Sequence, residues 1–237
     1  MNSKIKLTST EPFIDLKINK INKKNEIIYN QSFRQREKYI FFQRAFDFIY
    51  NNKIKGDYFE FGVHKARTFR FALRESIIKN IFMDFYAFDS FKGLPDYGTN
   101  KLENPFYLPG GLNTSKYDFL NLCKKFSTKR KINIIEGYYE NTLDKNLIKK
   151  FKSKKIKCSM INIDCDLEKS VKSCLEFSLK FISNGTILYI DDYYNSYKGD
   201  PGKGLNKLIK TMLKKYKVKY EKWHIVGSFG QSFILYK

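Results

Sequence analysis

The sequence predicts an α/β fold: a mostly parallel sheet with a C-terminal antiparallel hairpin and helices on both faces. Three observations predict it. Short apolar runs alternate with amphipathic stretches from Tyr58 to Leu213, and such repetition of strand and helix is how parallel sheets are built and covered. Thr186–Ile190 is apolar throughout, as a strand buried on both faces should be. Trp223–Val226 and Ser232–Tyr236 are separated only by Gly227-Ser228-Phe229-Gly230-Gln231, a link that suits antiparallel neighbours and is too short for a crossover.

The elements follow in order. Residues 1–30 are polar and weakly periodic and read as a loose arm. Residues 34–50 place Ile40, Phe41, Ala45, Phe48 and Ile49 at helical spacing. The expected division is an N-terminal arm and helix over 1–50 and a sheet domain over 51–237. Strands are expected at Tyr58–Phe61, Phe85–Phe88, Ile132–Ile135, Ser159–Ile163 and Thr186–Ile190. Helices are expected at Thr68–Ile78, 115–126 and Leu205–Leu213, and through Val171, Leu175, Leu179 and Ile182. Residues 91–113 hold three of the five prolines and form a long irregular loop, a kind that is usually functional or disordered.

Composition narrows the class. The 237 residues include 22 Phe and 17 Tyr, ample for a core, so disorder is excluded as the default. Apolar runs fall well short of the ~20 residues that span a bilayer. The start, MNSKIKLTSTEPF, has no apolar targeting region, so a cytoplasmic protein with no membrane span is expected. The net charge of +21 invites a nucleic-acid reading. Yet 38 of the 45 basic residues are Lys, spread along the chain in company with abundant Asn, Ile, Phe and Tyr. That joint skew reads as a coding bias that coats the surface, the alternative being attraction to an anionic partner such as a nucleotide sugar, a phosphorylated substrate or a membrane surface; no nucleic-acid partner is expected. Cys123, Cys158, Cys165 and Cys174 form no CxxC pair and read as small core residues.

Chemistry-bearing residues fall at the expected strand ends, where ligands bind in such sheets. Glu60 leads through Gly62 into a helix start. Gly lets backbone approach a ligand closely, and a helix N-terminus favours a carboxylate. Asp89, followed by Ser90, ends the second strand, where an acid can accept both ribose hydroxyls of a nucleoside. Gly137 and Tyr138 follow the third strand and suit the flat face of a base. Asp164-Cys165-Asp166 ends the fourth strand and Asp191-Asp192 the fifth. Carboxylates capping apolar runs need partners, and oxygen-only ligands at one rim suit Mg²⁺ or another hard divalent cation.

Together the stretches YFEFGVHKARTF, FYAFDSFKGLPD, INIIEGYYENTL and SMINIDCDLEKSVKSCLEFSLKFISNGTILYIDDYYN resemble the macrocin O-methyltransferase family. The resemblance implies a Rossmann-like methyltransferase sheet and S-adenosylmethionine as cofactor. Glu60 and Gly62 would line its methionine part, Asp89 and Ser90 the ribose side, and Gly137 and Tyr138 the adenine. Asp164, Asp191 and Asp192 would hold the metal. The acceptor would be a small molecule or glycan offering a sugar hydroxyl, and the enzyme a possible homo-oligomer. Two departures stand out. Ala66 replaces the second Gly of the cofactor turn, and no His occurs between Asp89 and Glu136, where the family's proposed base lies. The catalytic base is therefore unassigned, with His64 a candidate by elimination. Segment 96–114 is short for a macrolide acceptor, which favours a surface glycan or nucleotide sugar. The competing readings are a phenol or other small acceptor, and a non-catalytic basic RNA- or glycan-binding protein on this scaffold.

Overall fold

A computed structural model describes residues 23–100, 107–194, 200 and 202–237, with side chains from Phe33 onward. In chain order its first half comprises α1 (Lys23–Asn51), β1 (Asp57–Phe61), a 3-10 turn (His64–Ala66), α2 (Arg67–Ile78), β2 (Phe85–Asp89), α3 (Lys116–Ser127) and β3 (Ile132–Glu136). Then come α4 (Tyr139–Thr142), α5 (Lys145–Ser153), β4 (Cys158–Ile163), α6 (Glu168–Ser178) and β5 (Ile182–Ile190). The chain ends with α7 (Gly204–Lys215), β6 (Lys219–Val226) and β7 (Gly230–Tyr236). The strands form one seven-stranded sheet in the order β3-β2-β1-β4-β5-β7-β6. β1 to β5 pair in parallel, while β7 runs antiparallel to both β5 and β6. The strand order reverses between β1 and β4, which is where such sheets open a ligand crevice.

β1 shows how sequence becomes layers. Successive strand side chains point to opposite faces. Tyr58 enters the core shared with α1, α2 and α3, beside Phe42, Phe69 and Phe85. Phe59 and Phe61 enter the opposite core with Phe88, Phe151, Phe177 and Phe181, under α5 and α6. Phe61 and Phe88 stack at 4.4 Å between centroids. Each fully buried Phe contributes about 1.5–3 kcal/mol, so both faces of the sheet are strongly held. Glu60 belongs to the Tyr58 face and is fully buried.

Three local readings change. The structure winds α1 from Lys23, where the sequence reading placed a loose arm through residue 30; the rest of that arm, 1–22, lies outside the described residues. No Gly or Pro interrupts 23–51, and once a helix is nucleated each further residue adds a bond at low cost. Of its expected stripe, Phe41, Ala45 and Ile49 are buried, and Phe42 and Phe46 join them. Ile182 leaves the helical series: α6 ends at Ser178, and Ile182 opens β5 paired with Cys158. Its spacing fits a helix, but pairing with β4 decides its place. Lys145–Ser153, which is not among the helices expected above, is a helix capped by Asp144, which accepts from the Leu147 N–H at 2.7 Å. All four cysteines are free and buried, as expected of core residues.

Candidate active site

The strand ends of the central sheet open into a cavity of about 390 Å³. One half is built from backbone. Gly62 sits at φ +83°, and a Cβ there would meet the Asp164 carbonyl oxygen at 1.9 Å. The sharp exit from β1 at the switch point therefore requires glycine. The turn continues through Lys65 and Ala66, both left-handed at φ +54° and +52°. Ala66 thus holds the conformation that a second glycine would take without strain.

Asp89 organises this half. One carboxylate oxygen accepts from the Val63 N–H at 2.8 Å and the other from the Phe91 N–H at 2.7 Å. It ties the turn after β1 to the turn after β2. Burial raises its pKa, and the N–H donors oppose that. Ser90 Oγ donates to the Gly93 carbonyl at 2.9 Å and fixes the start of the long loop. That loop folds back on itself through Leu94 N–H to Gly111 O and Gly110 N–H to Leu94 O, both 2.9 Å. Gly137, at φ +132°, donates to the Asp89 carbonyl at 2.9 Å, which places Tyr138 on the cavity wall.

Glu60 lies beneath this half. It accepts from Thr68 Oγ1 at 2.6 Å and from the Tyr58 hydroxyl. Burial pushes its pKa up to about 7, although Thr68 and Tyr58 favour the anion. Glu60 does not line the cavity, while its partner Thr68 does.

The other half is acidic. Asp164, Asp166 and Asp192 bring ligand oxygens within 4.8 Å of one another. Burial and the Asp191 charge raise the pKa of Asp164 and of Asp166; the same two causes, with Asp166 and Asp164 adding to them, raise that of Asp192. Asp191 behaves differently. Burial works against its charge, but Lys38 and Arg34 outweigh that and lower its pKa. Lys38 Nζ donates to Asp191 at 2.7 Å and to Asp164 at 3.3 Å, and Tyr189 donates to Asp191 at 2.6 Å. Arg34, one helical turn before Lys38, stands 3.5 Å from Asp191. Burial alone would lower the Lys38 pKa; Asp164 and Asp191 together hold it raised. His64 also lines the cavity, its Nδ1 2.8 Å from Thr114 Oγ1. Burial and then Lys65 and Arg67 push its pKa down to about 4, leaving it neutral.

The structure thus gathers Gly62, Asp89, Ser90, Gly137, Tyr138, Asp164, Asp191 and Asp192 around one cavity and sets Glu60 just behind it. Sequence reasoning missed Arg34, Gln35 and Lys38, which α1 adds to the same wall. Nothing local marked Lys38 among 38 lysines. It also passed over Asp166, for which the Asp164-Cys165-Asp166 motif was a visible signal.

A crevice at the switch point, with a carboxylate after β2 and acids after β4 and β5, defines an S-adenosylmethionine-dependent O-methyltransferase of the Rossmann-like kind. The chain belongs to the macrocin-O-methyltransferase (TylF) family, whose sequence profile matches residues 31–199. No curated protein sequence matches it. Among solved structures it resembles the calicheamicin methyltransferase CalS11, with a TM-score of 0.66 and 17% identity over 91% of this chain and 87% of that one. The O-methyltransferase NovP is similar, with a TM-score of 0.65 and 17% identity over 85% and 80%. TomG from Streptomyces achromogenes, solved with S-adenosylmethionine, gives a TM-score of 0.52 and 8% identity over 83% and 79%. At these identities the likeness is one of fold. Among the described residues no helix is long and apolar enough to cross a membrane.

Proposed function

We propose that the enzyme methylates a sugar hydroxyl and holds a divalent cation among its strand-end carboxylates. The observation that carries this reading is the buried acid cluster beside the Gly62–Asp89 half of one cavity. Asp89 would accept the ribose hydroxyls, and Gly62 and Thr68 would border the methionine end. Gly137 and Tyr138 would face the adenine. Glu60 would act from behind, holding Thr68.

The residues present fit a metal. Asp164, Asp166 and Asp192 are hard oxygen donors whose mutual repulsion a bound divalent cation would relieve. A bound divalent cation would polarise adjacent hydroxyls and lower the pKa of the one attacked. S-adenosylmethionine, held by the Gly62–Asp89 half, would supply the methyl group to the acceptor oxygen, its S–CH₃ bond giving way to leave a neutral thioether. The hydroxyl proton leaves toward the carboxylate rim. The shortness of segment 96–114 supports a single sugar ring, on a glycan or nucleotide, over a bulky macrolactone.

Calorimetry with S-adenosylhomocysteine tests the cofactor half. Asp89→Ala should weaken binding at least ~100-fold, since two hydrogen bonds to a charged group are lost at ~1.5–3 kcal/mol each. Methyl transfer to a panel of free, glycan-linked and nucleotide-linked sugars, with and without EDTA, tests the rest. Activity on phenols alone, or activity untouched by EDTA, would reject the sugar or metal reading respectively.

A further inference from the structure

We propose that Phe229 and Gln35 form the subsite that holds the acceptor sugar, Phe229 by packing against a C–H face of the ring and Gln35 by accepting from one of its hydroxyls. This rests on the proposed sugar methylation and names the groups that would recognise the ring.

Phe229 lies in the turn between β6 and β7 and is 43% exposed. A single exposed aromatic is ordinary on a protein surface. Three observations set this one apart. It borders the cavity, and it shares a smaller recess with Asp191 and Lys38. The turn that carries it is anchored. Its carbonyl accepts from the Tyr194 N–H at 2.9 Å, and the Tyr194 hydroxyl donates to Gln231 at 3.0 Å. At the next residue, Gly230, a Cβ would meet the Tyr189 hydroxyl at 2.6 Å, and that hydroxyl donates to Asp191. The turn is therefore seated on the end of β5, where the acids gather. Finally, the Arg34 guanidinium stands 6.0 Å from the ring centroid, at the limit of cation–π attraction.

Gln35 follows Arg34 in α1 and lines the same cavity. It is 7% exposed, and its Oε1 has no hydrogen-bond partner. A buried polar atom left unpaired is costly, and native proteins rarely leave one. A ligand that supplies an O–H removes that cost. The two residues thus ask for an acceptor with an apolar face and a spare hydroxyl. A pyranose ring has both: C–H bonds above and below it, and hydroxyls around its rim. A simple phenol has the flat face, but its one hydroxyl is the one methylated, which leaves none for Gln35. Neither residue takes part in the chemistry. Both hold the ring equally before and during methyl transfer, so their loss raises KM and spares kcat.

The test is steady-state kinetics with the best-methylated member of a panel of free, glycan-linked and nucleotide-linked sugars. Phe229→Ala should raise KM for that sugar ~10-fold, the scale for one apolar contact in a pocket. Gln35→Met should raise it about 5-fold, as one hydrogen bond is lost. In both, kcat should stay within ~2-fold, and S-adenosylhomocysteine binding, measured by calorimetry, should be unchanged. Phe229→Tyr keeps the flat ring and should restore a wild-type KM, which a merely structural role for the turn would not require. A wild-type KM in Phe229→Ala or in Gln35→Met, or a loss confined to kcat, overturns the inference. A wild-type enzyme that methylates phenols and no sugar would instead overturn the sugar reading beneath it.

Discussion

Glu60 offers a direct measurement of what the fold does to a carboxyl group. The perturbation is Glu60→Gln, nearly isosteric and incapable of titrating. Burial raises the Glu60 pKa from an ordinary 4.5 to about 7. Between those values the native protein binds a proton that the unfolded chain has released, so stability falls as pH rises. At about 1.4 kcal/mol per pH unit, the interval removes about 3 kcal/mol from the wild type by pH 7 and leaves that loss in place above it. The Gln variant lacks this term. Other carboxylates slope both proteins alike and cancel in the difference. Urea unfolding of both proteins at pH 4.5 and pH 8 should therefore show the variant gaining about 3 kcal/mol relative to wild type across the range. Parallel stability curves would refute the claim that burial raises the Glu60 pKa in the folded protein. The result bears on the site, because a Glu60 that titrates at about 7 sets how much negative charge lies behind Thr68.

Two backbone predictions sit at the cofactor turn. Gly62→Ala forces a methyl into the Asp164 carbonyl at a left-handed φ, and should abolish S-adenosylhomocysteine binding in a calorimeter or prevent soluble expression altogether. Ala66→Gly relieves a residue at φ +52°; it should stabilise the protein by up to ~1 kcal/mol after the added freedom of the unfolded chain is subtracted, seen as a raised melting temperature in calorimetric scans. An unchanged or lowered temperature would mean that the turn carries no strain at Ala66.

The sequence by itself determined the fold class and most of the site, because both depend on local order. Short continuous apolar runs ending in Gly62, Asp89, Asp164 and Asp191 specify parallel strands, and a parallel sheet brings all its carboxyl ends to one edge. What tertiary structure alone decided is what each acid faces. Glu60 and Asp89 point to the same face, yet Glu60 lies one residue inside β1, paired with Ala87, and is buried in the core, whereas Asp89 is the last residue of β2 and lines the cavity. Ile182 kept its helical spacing but was taken into β5 by pairing with Cys158. Lys38 lies 126 positions from Asp164 and 153 from Asp191, and no local pattern separates it from 37 other lysines. Only the packing of Phe42, Ala45, Phe46 and Ile49 against the sheet rotates α1 so that Lys38 meets the acids. The partner of a buried charge is set by distance in space, and that is the part a linear pattern does not contain.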